Sequence, residues 1–381
     1  MVRLFSRVTA FVYKRAAKPI LFRLAPDGVH TRMIISARMV QKIPLLPQTV
    51  AAIWAYRNTA RLSQQIHGLT FINPIGLSAG LDKNAEIVPV VKAIGFGFAT
   101  IGSVTHEPCS GNPRPWFFRL PRSQALVVHV GLANHGVKRI IQRINRYSPR
   151  LFRCFPLVVS VAKTNSTVAC TDTGAIADYV ASLKLIKMQA AVAVVELNIS
   201  CPNTYGGEPF TTPERLSQLL KAVDAVELNK PLWVKMPLNL SWKEFDALLQ
   251  VLTQHTVAGV TIANLNKDRR AVNPADGLTD ATPGNLGGRL NTQLCNELIS
   301  KTYQSYGDRL CIIGVGGVFS AEDAYEKIKR GAHLVDMITG LIFNGPQVVG
   351  QINYDLAQLV ARDGYRNVSE AVGAYHRTHK T

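Results

Sequence analysis

From residue 67 onward the chain alternates short, nearly unbroken apolar runs with segments whose apolar residues recur every three or four positions. The apolar runs fall at 75–79, 98–104, 157–162, 193–199, 232–236, 259–263, 311–315 and 334–338. A strand that is apolar on both faces must be covered on both, and a helical segment after each strand supplies a cover, so the pattern predicts an all-parallel sheet. Some helix borders are readable. Thr212-Pro213-Glu214 supplies a cap, a first-turn proline and a first-turn acid, and Ser320 to Asp323 opens a segment that closes at Gly331. Strand–helix units repeated in this way over about 300 residues predict an α/β fold, a (β/α)8 TIM barrel. An open doubly wound sheet is the other arrangement the pattern permits.

Before residue 67 the pattern is purely helical. Residues 1–20 set Leu4, Phe5, Val8, Phe11 and Val12 on one helical face and Arg3, Arg7, Lys14 and Lys18 on the adjoining one, and the first acid is Asp27. Such a two-sided basic helix suits the interface of an anionic membrane surface. An Arg-rich mitochondrial presequence and an ordinary solvated helix face are the other readings. Arg7 interrupts the apolar stretch, which argues against a secretory signal. Two more helices are predicted over 29–40 and 49–62, separated by Pro44 and Pro47. Residues 1–66 thus read as a small N-terminal helical membrane-association module with room for an apolar ligand, and 67–381 as the barrel. No apolar run approaches the roughly 20 residues that span a bilayer.

Composition narrows the partners. The 381 residues are 47% hydrophobic and 18% charged, enough for one large core with an accessory piece. The formal charge of +18 calls for an anionic partner. Nucleic acid ranks last, because basic residues are not interleaved with aromatics in any recognisable module. The six cysteines include no Cys-x-x-Cys pair and no grouping with histidine at metal-ligand spacing, so no metal is expected. Cys311, opening an apolar run, reads as core.

In a barrel the functional groups gather at the carboxyl ends of the strands. There the sequence places Ala79, Gly80 and Lys83 after the first run, Ser103 in the second, and Asn198, Cys201 and Asn203 after the fourth. Lys235 closes the fifth run and Asn264 follows the sixth. Gly316 and Gly317 follow the seventh run, Thr339 and Gly340 the eighth, and Gly287-Gly288 ends the loop after the sixth. Together these glycines suggest a phosphate cradle of backbone N–H groups. Lys235, at the end of a buried strand, is expected to face an anionic or electron-accepting ring, since an unpaired buried ammonium is costly. Gly206-Gly207 reads equally as a loop hinge or a surface turn. Cys201 lies between two amides, with a thiol that ionises near pH 8.5 when free.

Ala79-Gly80-Leu81-Asp82-Lys83, the Asn198-to-Thr204 loop, Lys235, the Gly314-to-Gly317 strand end and the segment Phe22 to His30 together resemble class 2, quinone-dependent dihydroorotate dehydrogenase, over nearly the whole chain. The resemblance implies an FMN-containing barrel that oxidises dihydroorotate to orotate in pyrimidine biosynthesis. Electrons would pass through the N-terminal module to a membrane quinone. It implies FMN contacts from Ala79 to Lys83 and at Ser103, Ser160, Asn198, Lys235, Gly288, Gly316, Gly317, Thr339 and Gly340. Substrate contacts would come from Lys83, Asn198, Asn203 and Asn264, with Cys201 as catalytic base. The implied location is peripheral on a membrane, the cytoplasmic face of a bacterial inner membrane ahead of a mitochondrial one. Cysteine as base is the class 1 pattern on a class 2 body. Val128, Ser160, Ala263 and Ile338 stand where the family has Asn, Asn, Thr and Tyr. The missing amide at 128 would cost about 1–3 kcal/mol if it left a substrate group unsatisfied. The other readings are an FMN oxidoreductase for a different cyclic amide or pyrimidine, and a catalytically silent membrane-associated barrel.

Overall fold

The structure is a computed structural model that describes residues 2–204 and 207–378, without the side chains of 2–4 and 378. Gly206 and the side chains of Arg3 and Leu4 therefore lie outside the described residues. Eight parallel strands close into a barrel: β1 Ile75–Leu77, β2 Phe98–Val104, β3 Leu157–Val161, β4 Val194–Asn198, β5 Leu232–Lys235, β6 Val257–Ile262, β7 Cys311–Gly314 and β8 Leu334–Met337. Each coincides with a predicted apolar run. Helices such as Asp172–Lys187 after β3, Pro213–Asp224 after β4 and Val348–Arg362 after β8 cover the outside. The closed ring excludes the open sheet.

The barrel interior is stratified. At the amino-terminal ends of the strands Phe98, Val194, Trp233, Ile313 and Leu334 pack against Ile66 and Phe71. The latter two belong to an antiparallel hairpin, Gln64–Ile66 with Leu69–Phe71, which plugs that end. The hairpin straddles residue 66, so a cut there would divide one packed unit. At the opposite mouth a three-stranded antiparallel sheet, Phe117–Leu120, Ala125–Val128 and Asn285–Gly288, joins the loops after β2 and β6. Gly287 and Gly288 thus belong to a strand, whereas the sequence suggested a loop end: they pair with Leu126 and Ala125.

The N-terminal helices are α1 Val2–Val12, continued by a π-helical turn Tyr13–Ala17 into α2 Lys18–Arg23, then α3 Pro26–Val40 and α4 Leu46–Trp54. The helix predicted over 49–62 is broken. Ala55 turns extended, and Asn58 caps a separate turn, Thr59–Leu62, by accepting the Arg61 N–H. α1 lies on the molecule by its polar side. Ser6 is 2% exposed, the Ser6 carbonyl accepts from Gln351 Nε2 at 3.1 Å, and Trp54 Nε1 donates to Thr9 Oγ1 at 3.3 Å. Phe5 and Phe11 on the apolar side are 48% and 66% exposed. Asp27, in the first turn of α3, accepts the Trp116 N–H with both oxygens, at 3.1 and 3.2 Å, which seats α3 over the barrel mouth.

Candidate active site

The ends of β4 and β5 are in register, with Asn198 beside Lys235. Asn198 Nδ2 donates to Ser103 Oγ at 2.8 Å, and Asn264 Nδ2 donates both to Asn198 Oδ1 and to Ser200 Oγ at 3.0 Å. Ser200 Oγ donates in turn to the Lys235 carbonyl at 2.7 Å. Four strand ends are thereby cross-linked, and the amide of Asn198 is held in one orientation. Ser160 is fully buried and exchanges a 2.9 Å hydrogen bond with Ser103 Oγ. It is absent from the cavity wall, unlike the other predicted site residues, which line it.

Those other residues line one cavity of about 440 Å³ that runs from the barrel mouth out between the N-terminal helices. Its glycine-lined end has no room for side chains. Gly316 and Gly317 have φ of 90° and 74°, and a Cβ on Gly317 would sit 1.9 Å from Thr292 Oγ1. A Cβ on Gly340 would meet the Val318 carbonyl at 2.1 Å, and one on Gly288 (φ 115°) the Gln124 carbonyl at 2.6 Å. Only backbone can face a ligand there, which suits an anionic tail. Ala79 and Gly80 keep one wall flat, and Lys235 is buried in the floor. The residues present fit a planar group with a phosphate.

Beside this floor stands Cys201, half-buried. Burial pushes its thiol up to about 11, against smaller lowering effects from the Asn203 backbone N–H, Lys235 and Lys163. Desolvation thus outweighs the nearby lysines and holds the thiol above the value of about 8.5 for a free cysteine. Asn203 Nδ2 donates to the Val128 carbonyl at 3.1 Å and its Oδ1 accepts from Asn285 Nδ2 at 3.0 Å. The loop is thus tied to the side sheet at the position where the amide at 128 is missing. Lys83 Nζ lies 3.4 Å from His30 Nε2 and 5.3 Å from the centre of the Phe117 ring. Burial lowers Lys83 to about 8, and burial with Lys83 and Arg114 lowers His30 to about 3. A neutral His30 is compatible with a charged Lys83 only as an acceptor.

Outward from Lys83 the cavity becomes an apolar throat lined by Phe22, Val29, Met33, Ile34, Ala37 and Leu341. Tyr13 and Arg119 are its polar exceptions: Tyr13 Oη donates to the Ile342 carbonyl at 2.6 Å, and Arg119 Nη1 to the Leu24 carbonyl at 2.7 Å. A second, polar cavity opens on the other side of the 201–204 loop, bordered by Asn112, His129, Asn165, Asp178 and Asn285, and Asn203 borders both. Sequence reasoning passed over His30, Tyr13, Arg119 and Asp336, which lines the floor near Lys235. For Asp336 the signal was available as an acid inside an apolar strand.

Fold and site define a TIM barrel whose basic, glycine-cradled mouth is continuous with an apolar throat. Residues 61–360 match the family model described as "Dihydroorotate dehydrogenase". The chain is 35% identical over 375 residues to "Dihydroorotate dehydrogenase (quinone)" of Deinococcus deserti, covering 95% of this chain and 99% of that protein. It is 38% identical over 320 residues to the protein of the same name from Myxococcus xanthus, covering 83% and 85%. A crystal structure of ligand-free DHODH from Eimeria tenella superposes with TM-score 0.81 at 26% identity, covering 92% of this chain and 99% of that one. The chain belongs to the dihydroorotate dehydrogenase family, in its quinone-dependent class.

Proposed function

We propose that this chain holds FMN in the glycine-cradled cavity, with Cys201 as the base that serves the oxidation of dihydroorotate to orotate. It is a quinone-dependent dihydroorotate dehydrogenase of pyrimidine biosynthesis. The observation that carries the reading is the single cavity in which Lys83, Asn198, Asn203, Asn264 and Cys201 meet the glycine cradle at one end and open into an apolar throat at the other. FMN, when bound, supplies the two-electron acceptor. Lys83 pairs with the substrate carboxylate, and the amides of Asn198, Asn203 and Asn264 fix the ring in one orientation. Cys201 Sγ, once ionised, removes the proton alpha to a ring carbonyl while hydride leaves the neighbouring carbon. Lys235 offsets the negative charge that accumulates over the floor.

Residues 1–66 act as the membrane and quinone module. The apolar sides of α1, α3 and the 43–45 turn, exposed at Phe11, Met39 and Leu45, rest in the surface of an anionic membrane, with the throat opening among them. Among the described residues no helix is long and apolar enough to cross a membrane. The face is the cytoplasmic side of a bacterial inner membrane. Anaerobic addition of dihydroorotate to the purified protein tests the reading: the visible flavin absorbance should bleach and return on adding a quinone. A bound flavin that stays oxidised would point to another cyclic amide as substrate, and a colourless protein to a silent barrel.

A further inference from the structure

From the cavity floor, which Asp336 lines, downward, the barrel carries a polar layer where an apolar one would be expected. Its members come from the four even strands, the alternation by which barrel layers are built: Thr100 on β2, Glu196 on β4, Thr261 on β6 and Asp336 on β8. All four are at most 1% exposed. Thr261 Oγ1 donates to Glu196 Oε2 at 2.6 Å. Three further oxygens of the layer, Glu196 Oε1, Asp336 Oδ1 and Thr100 Oγ1, have no hydrogen-bond partner among the described residues. Gly76 makes space for the acid, since a Cβ there would lie 2.4 Å from Asp336 Oδ1. Two buried carboxyls with unpaired oxygens, facing into the same closed barrel, cannot both stay ionised at low cost.

We propose that Glu196 and Asp336, buried in one layer of the barrel, hold a single proton between them, carried by Asp336, and that the charge of these two acids sets, through Lys235, the field that the cavity floor presents to the bound electron acceptor. The second half rests on the flavin reading above, and the first does not. Asp336 is the proton carrier: burial first, then Glu196, raises its carboxyl to about 8, while Lys235 pulls the other way. The remaining titratable group facing the barrel interior is Cys311, lower down among the apolar residues against the hairpin and pushed by burial to about 12. β1, β2, β3 and β6 present Gly76, Thr100, Ser160 and Thr261, which do not titrate in the working range. With its proton, Asp336 leaves the Lys235 charge to the group above. Without it, the new carboxylate offsets that charge. Asp336 is thus a positioning residue for charge, acting through Lys235.

Infrared difference spectra of the purified protein, flavin-bearing or not, test the pair. A protonated-carboxyl band should be present at pH 6, titrate near pH 8, and be missing in Asp336→Asn. In Glu196→Gln the titration should move to lower pH, since the repelling neighbour is gone. In Lys235→Met it should move to higher pH. No band at pH 6 would overturn the pair, whether the true arrangement is two ionised carboxylates bridged by water or a cation. An unmoved titration in Lys235→Met would overturn the coupling. If the protein is coloured, its midpoint potential should fall more steeply with pH above 8 in the wild type than in Asp336→Asn. Identical slopes would also sink the coupling. If it is colourless the flavin reading fails, while the band and its shift in Lys235→Met still decide the rest. Should Asp336→Asn fail to fold, Glu196→Gln and Lys235→Met carry the test alone.

Discussion

A thiol held at about 11 and a lysine held at about 8, in one cavity, impose a particular pH dependence. The proposed mechanism needs Cys201 ionised and Lys83 charged, the minority form of each between those two values. Below pH 8 Lys83 is charged and the thiolate fraction grows tenfold per unit, so kcat/KM should rise with unit slope. Between about 8 and 11 the gain in thiolate is cancelled by the loss of ammonium. Above 11 the rate should fall. The competent form on the plateau is roughly one molecule in a thousand, from the separation of the two values. Lys83→Arg, which stays charged, should remove the break near 8 and let the rise continue; a break that persists would assign it to another group. Cys201→Ala should slow flavin reduction by substrate about 100- to 10,000-fold, the usual contribution of a positioned base, with flavin retention unchanged. Stopped-flow bleaching checks both. The residues of this site were readable where their chemistry is local, as with a glycine pair at a strand end or a cysteine between asparagines. What the chain order concealed was environment: the same thiol is low or high in pKa according to the burial that distant segments impose.

At the scale of elements, the cradle depends on how the end of β7 packs against the helix Thr292–Tyr306. Gly317 has φ of 74° and its Cβ direction is filled by Thr292, so Gly317→Ala must displace one segment or the other. A side chain in such a conformation costs about 1–3 kcal/mol, and relief of that strain by moving the cradle predicts roughly 5- to 150-fold weaker flavin retention. Ultrafiltration of the purified variant measures it. The barrel strands themselves were legible because each is buried on both faces and so is written as an unbroken apolar run. The two antiparallel strands Phe117–Leu120 and Asn285–Gly288 were not, because both are short and half-covered, the second ends in two glycines, and their sheet joins segments far apart in sequence. The break at 55–58 escaped notice for a related reason: Tyr56 and Asn58 look tolerable in a helix, and only the packing of Tyr56 against Tyr354, with ring centres 5.0 Å apart, selects the extended path. For α1 the polar side, not the apolar one, was the buried side, an inversion visible only once Ser6 and Thr9 had partners. Phe11→Glu removes exposed apolar surface worth about 1.5–3 kcal/mol if it is membrane-buried. Co-sedimentation with anionic vesicles should weaken about tenfold or more, with no change in melting temperature. Unaltered sedimentation would remove α1 from the membrane contact.

At the scale of the whole molecule, two cavities border the 201–204 loop. The polar cavity beyond Asn203 suits a charged, water-soluble substrate, while the throat lined by Tyr13, α2 and α3 suits an apolar one, and Asn203 borders both cavities. Under the proposed function such separation would let reduction and reoxidation use different doors, with the helical module covering one and the 201–204 loop bordering the other. The two half-reactions should therefore be separable by mutation. Ala37 lines the throat and packs against the core through α3, well away from the strand-end amides. Ala37→Trp would fill the passage with an indole. Quinone-driven reoxidation should slow by at least roughly tenfold, the scale of an overpacking penalty of about 1–3 kcal/mol. Bleaching by dihydroorotate should keep its wild-type rate. Measuring each half-reaction alone, anaerobically, decides the point. If both slow together, the throat is a structural wedge that tunes the barrel, and the acceptor must reach the floor by the same polar door as the substrate.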